Sequence, residues 1–204
     1  MRPATRLAAG CVALILMWSA SATPARGATG PDADPAAYEP AEEPEGAARR
    51  AYVLWQQGYV LHLFGEYEEA AALFRKSIAV HPTAEGHTFL GWSLSELGRL
   101  DEAIAECKKA IPLDPDYGNP YNDIGVYLIE LGRADEAVPW LEKAMAAKRY
   151  CCYQFAHFNL GRVLLMNGRV DAAKRAFERA LDYDPDYLPA RAALRYIRER
   201  WEEL

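Results

Sequence analysis

Four glycines in a regular register constrain this chain more than any other feature. Gly65, Gly98, Gly132 and Gly168 are spaced by 33, 34 and 36 residues, and each is preceded seven residues earlier by another glycine: Gly58, Gly91, Gly125 and Gly161. Five residues after each turn glycine stands an alanine (Ala70, Ala103, Ala137, Ala173). A bulky or soft apolar residue follows four later (Phe74, Cys107, Leu141, Phe177), then a small one three further on (Ser77, Ala110, Ala144, Ala180). Apolar spacings of three and four read as helix. Glycine after a helical run supplies the left-handed residue that ends it. Small residues on two facing helices let their backbones approach, and the bulky residue one turn away fills the gap between them.

Pro82, Pro115 and Pro185 close three of the four units. On these residues the chain resembles the tetratricopeptide repeat family, whose unit of about 34 residues is a helix, a turn and a second helix. The resemblance covers 51–185 and implies an all-α, right-handed α-solenoid with repeats over about 51–83, 84–117, 118–152 and 153–186. The periodicity predicts first helices over 49–64, 84–97, 118–131 and 153–167. Second helices are predicted over 67–80, 100–111, 134–148 and 170–183. Beyond Pro185, Leu188, Ala190, Ala193, Leu194, Ile197, Trp201 and Leu204 recur mostly at helical spacing. That pattern predicts a capping helix over 187–204, which a solenoid needs to close its last apolar face.

The segments before the repeats read differently. Arg2 and Arg6 precede the apolar run Leu7 to Trp18, and Ala20-Ser21-Ala22 follows it, the order of a secretory signal peptide over 1–22 cleaved after Ala22. The expected location is therefore periplasmic or secreted. The run is short for a membrane span, so membrane attachment is expected only if it is retained or if Cys11 in "LAAGC" carries lipid. Residues 23–48 read as an acidic, Pro/Ala-rich linker. Within 29–48 lie four prolines, six acidic residues and one ring, too little apolar surface to offset ordering entropy.

Composition and spacing narrow the function classes. A net charge of -6 argues against nucleic acid, which calls for clustered Lys and Arg. "RYCCYQ" looks reactive, yet Cys151, Cys152 and His157 lack the paired spacings of a zinc site. It reads as a lengthened joint between repeats three and four, with Arg149 where the other units have proline. Its cysteines are expected to be structural bystanders, an intermolecular disulfide being the alternative. His62, His81, His87 and His157 are scattered, with no nucleophile or carboxylate at catalytic spacing. Neither a cofactor nor a metal is expected, and the chain is not expected to be an enzyme.

What the resemblance implies instead is a protein or peptide partner held in a concave groove lined by the first helices. The columns flanking the small glycines place Trp55, Gln56, Tyr59 and His62 there from repeat one, and Thr88, Phe89 and Trp92 from repeat two. Repeat three adds Asn122, Asp123 and Val126, and repeat four Phe158, Asn159 and Arg162. The set expected to bind is Trp55, Gln56, Tyr59, His62, Phe89, Trp92, Asn122, Val126, Asn159 and Arg162. Trp, Tyr and Arg are the types enriched at interface hot spots. Family members that grip chaperone C-termini use Lys, Asn and Arg on these columns, where this chain has Trp55, Phe89, Asn122 and Asp123. That clamp is absent. Asn159 matches the asparagine with which family members hold a peptide backbone.

Overall fold

The computed structural model describes residues 44–202. The signal-peptide reading, and the linker reading up to residue 43, lie outside the described residues. Among the described residues nine α-helices follow one another: α1 Pro44–Leu63, α2 Tyr67–Val80, α3 Ala84–Glu96, α4 Leu100–Leu113, α5 Asn119–Glu130, α6 Ala134–Ala146, α7 Tyr153–Met166, α8 Val170–Tyr183 and α9 Leu188–Ile197. A π-helical turn over Arg198–Glu202 ends the described chain. Consecutive helices pack as hairpins, and α1, α3, α5 and α7 also touch one another in series. The first helices thus line an inner, concave side, with the second helices outside them.

Each hairpin turn is made by the glycine the register singled out. Gly65, Gly98, Gly132 and Gly168 have φ of 84°, 75°, 74° and 70°, the left-handed region. The next residue returns its N–H to the helix just left: Glu66 to Leu61, Arg99 to Leu94, Arg133 to Leu128 and Arg169 to Leu164, at 2.8–3.0 Å. This is the Schellman closure of a helix. The second set of glycines acts by close approach. A Cβ on Gly161 would lie 2.5 Å from the Phe177 ring, and one on Gly125 2.6 Å from Leu141. Ala70, Ala103, Ala137 and Ala173 are fully buried opposite them.

Several boundaries differ from expectation, each for a local reason. Helix α1 begins at Pro44, so the last five residues of the linker reading are helical. Proline suits the first helical turn, Glu45 sits where the helix dipole favours an acid, and Ala47 and Ala48 propagate it. Helix α4 runs to Leu113, past the expected 111, because Pro112 in the last turn sacrifices only its own N–H. The cap is α-helical only as far as Ile197.

Helix α6 stops at Ala146 rather than 148, and the joint explains why. Arg149 N–H donates to the Asp116 carbonyl at 2.8 Å, while Gly118 N–H donates to the Arg149 carbonyl at 3.1 Å, a short parallel bridge. The Arg149 side chain pairs with Asp114 at 2.6 Å and Glu85 at 2.8 Å and lies 4.1 Å over the Tyr117 ring. Arg149 thus replaces the expected proline with a staple between repeats two and three. Tyr150 is buried flat on Gly118, whose Cβ, if present, would stand 2.4 Å from Tyr150 Cβ and Cγ. Gly118→Ala therefore forces the joint outward, and we expect it to cost about 1–2 kcal/mol in urea unfolding. An unchanged midpoint would contradict this packing.

The cysteines divide by burial. Cys107 is wholly buried at the filler position of repeat two, and Cys152 is buried among Tyr121, Ala147 and Tyr150. Burial, followed by the charge of Asp123, pushes the Cys152 thiol up to about 11. Cys152 is thus a buried packing residue. No group of three His, Cys, Asp or Glu with metal-binding geometry occurs among the described residues.

Candidate protein-interaction groove

The column residues come together on the concave side, in two chemically distinct parts. At the N-terminal end the rings form one cluster. Trp55 stacks on Tyr59 with centroids 5.6 Å apart and planes 2° from parallel, and on Tyr52 at 5.9 Å. Phe89 of α3 meets Trp55 edge-on at 4.9 Å and Tyr59 at 5.4 Å, then contacts Trp92 at 4.5 Å. Such offset and edge-on arrangements are the preferred aromatic geometries. These four rings are each part-buried and packed against the core. Trp55 Nε1 is buried without a hydrogen-bond acceptor among the described residues.

His62 stands behind Trp92, with ring centroids 6.2 Å apart, and its Nδ1 lies 3.1 Å from Ser93 Oγ. Burial holds its imidazole below its ordinary value, so it is mainly neutral near pH 7. Gln56 is exposed and faces away from this cluster, bordering an apolar furrow with Gln57, Val60, Leu61 and Leu73.

Toward the C-terminal end the groove floor becomes a directed chain of hydrogen bonds across three helices. Arg162 Nη1 donates to Asn159 Oδ1 at 3.1 Å, and Asn159 Nδ2 to Asn122 Oδ1 at 3.2 Å. Asn122 Nδ2 donates in turn to Asp123 Oδ1 at 3.3 Å. From the other side Trp92 Nε1 donates to Asp123 Oδ2 at 2.5 Å. Every donor points toward the Asp123 carboxylate. The two asparagines and Asp123 are buried, whereas Trp92, Val126 and Arg162 are half-buried. Burial pushes the Asp123 carboxyl up to about 7, against the two donors, which pull it down.

Asp123 stood in the third repeat's column but outside the expected binding set. The signal was present: its equivalents are Gln56, Phe89 and Asn159, so it is the sole acid in a column of neutral residues. Phe158 turns instead to Phe177 and Tyr187, at 5.5 Å and 5.4 Å, and joins the last repeat's core. Thr88 is fully buried, its hydroxyl donating to the Ala84 carbonyl at 2.7 Å. Two histidines outside the groove are engaged locally, His87 with Glu106 at 2.7 Å and His157 stacked on Tyr183 at 5.4 Å, and His81 is exposed.

Comparison with known proteins agrees with this architecture. Tetratricopeptide repeat models match residues 49–118, 121–149 and 154–187. A TPR repeat-containing thioredoxin, TTL4 of Arabidopsis thaliana, is 32% identical over 97 residues, 47% of this chain. The chain spans only 13% of that protein. Among solved structures, PilF of Pseudomonas aeruginosa superposes with a TM-score of 0.73 at 24% identity, over 78% of this chain and 72% of PilF. PilW, described as a widely conserved type IV pilus biogenesis factor, gives 0.68 at 21% identity, over 73% and 69%. YrrB, described as having an unusual peptide-binding site, gives 0.58 at 22%, over 70% and 73%. These likenesses are of fold alone; it is the repeat family matched along the chain that supports a protein-interaction scaffold. With four glycine-closed hairpins, a concave row of first helices and three repeat matches along its length, this chain belongs to the tetratricopeptide repeat family.

Proposed function

We propose that the protein is an exported, non-enzymatic scaffold that holds a segment of a partner protein in the concave groove of α1, α3, α5 and α7. The observation that carries the reading is the groove itself. Part-buried rings at one end offer hot-spot contact area. At the other end, Asn159 and Asn122 are held by Arg162 and Asp123 in fixed orientations, and a pre-ordered amide loses little entropy when it binds a peptide backbone. Export rests on the N-terminal pattern of Arg2, Arg6, the apolar run and Ala20-Ser21-Ala22.

Two experiments test the two halves of this reading. Trp92→Ala is expected to weaken partner binding by about thirtyfold, the equivalent of about 2 kcal/mol for a central anchor. Binding equal to wild type, in a variant whose circular dichroism is unchanged, would place the partner elsewhere. Mass spectrometry of the protein from its own cell is expected to show an N-terminus at Thr23. A retained Met1, or lipid on Cys11, would instead favour a membrane-held accessory subunit. The likeness in fold to PilF and to PilW, the pilus biogenesis factor, supports a pilus or secretion assembly as the setting for that second reading.

A further inference from the structure

Among the described residues Asp123 is a buried carboxylate with two neutral donors and no cation partner. Among the described residues no ion pair includes it, whereas the surrounding charges are matched: Glu85 and Asp114 with Arg149, Glu106 with Lys109 and His87. Arg162 lies on the next first helix, where it donates to Asn159. The titratable groups that feel the charge of Asp123 are Cys107 on α4, Tyr117 in the loop before α5, Tyr127 on α5 itself, and Tyr150 and Cys152 in the joint. Burial first, and the charge of Asp123 second, push all five up. They therefore keep their protons near neutral pH and supply no positive charge.

An ionised group buried without a counter-ion is costly. Two hydrogen bonds use only part of a carboxylate's accepting capacity. Asp123 belongs to a first-helix column that lines the groove, and the part-buried Trp92 whose N–H it accepts is in ring contact with Phe89, which in turn meets Tyr59. Ring faces of this kind accommodate both the methylene stem and the charge of a cationic side chain. The net charge of -6 also draws a basic partner toward the groove.

Resting on the groove reading above, we propose that Asp123 is the docking point for a lysine or arginine side chain of the partner segment. The partner's cation supplies the charge that the fold withholds, and the rings of α1 and α3 cover its stem. The groove therefore selects basic segments. This is the reverse of recognition through Arg162 of a partner carboxylate.

Because the carboxylate must be ionised to bind a cation, affinity falls as pH drops through 7. His62, the other groove group that titrates, is held by burial below its ordinary value, so its charge appears toward the acid end of that range or beneath it. The pH response that persists in Asp123→Asn reports its share.

The test uses the intact protein and fluorescein-labelled nonapeptide pools, randomised except for a central Arg, Lys, Ala or Glu, read by fluorescence anisotropy. The Arg and Lys pools are expected to bind at least about tenfold more tightly than the Ala and Glu pools. That advantage disappears in Asp123→Asn. In wild type, affinity for the Arg pool is expected to fall about tenfold from pH 8 to pH 6, following the ionised fraction of a carboxyl with a midpoint near 7. This arm needs no variant to fold. If all pools bind alike, or the Glu pool binds best, while Tyr59→Ala still weakens binding, the cation site is refuted and the groove stands. Should no pool bind, or Tyr59→Ala have no effect, the groove reading falls with it.

Discussion

Gly125→Leu lowers the unfolding free energy by at least about 1–3 kcal/mol, the cost of forcing added volume into a closed core. Helix propensity works the other way, since replacing a mid-helix glycine gains about 1 kcal/mol. The sign is decided by space. A first side-chain atom at 125 would lie 2.6 Å from Leu141 Cδ2 and 2.8 Å from Cγ, inside any real contact distance, and Leu141 is itself fully buried and cannot retreat. Ala137→Leu attacks the same interface from α6 and carries the same expectation. The turn glycines form a contrasting control. Around Gly98 nothing lies within 4 Å of a built Cβ, so its φ of 75° is the sole obstacle. Asparagine, which tolerates that region, is expected to be accepted there at small cost and valine is not. Chemical denaturation of the four variants checks the pattern. Unaltered stability in both Gly125→Leu and Ala137→Leu would mean that α5 and α6 do not meet where the structure places them.

Asp123→Asn is expected to stabilise the protein at and above pH 7 while impairing its binding. The folded-state carboxyl titrates at about 7, the unfolded one near the ordinary carboxylate value of about 3.9. A raised value means that the folded state holds its proton longer. Stability linked to this group is complete below about pH 4 and is lost as pH rises from 4 through 7, to a total of about 4 kcal/mol at most. Asparagine keeps an acceptor for Trp92 and removes the charge. It also obliges the Asn122 amide to turn, which returns part of the gain. The quantity to measure is the difference in melting temperature between variant and wild type from pH 4.5 to 8, because subtraction cancels other carboxylates such as Glu102 and Glu136. The difference grows with pH in favour of the variant. A difference that is flat, or that favours wild type at pH 8, contradicts a raised carboxyl. A stability cost retained at the centre of a binding groove is the pattern expected of a functional group.

The fold was largely legible because the residues that specify it act locally. A positive-φ glycine ends a helix within its own turn, and the small and bulky residues that close each hairpin recur at fixed offsets. Boundaries were less legible where distant segments meet. Helix α6 ends early because Arg149 is bridged to Asp116 and held by Glu85, 64 residues away. The groove shows the same division. Its columns follow from helical register, so Trp55, Tyr59, Phe89, Trp92, Asn122 and Asn159 gather as expected. Burial and partner choice do not follow from register. Trp92 and Asp123 lie 31 residues apart, and their hydrogen bond depends on the step from one repeat to the next. The column of Trp55, Thr88 and Asn122 sends its fourth member, Phe158, into the core, where Tyr187 before the cap helix packs beside it.

The central claim, that the partner lies in the concave groove, is tested most directly by photo-crosslinking in the cell that makes the protein. Benzoylphenylalanine is placed in turn at Val126, half-buried on the groove side of α5, and at Glu142, exposed on α6. The groove account predicts a discrete cross-linked partner at Val126 and none at Glu142. A partner captured at Glu142 and absent at Val126 would contradict it and move the binding surface to the outer helices.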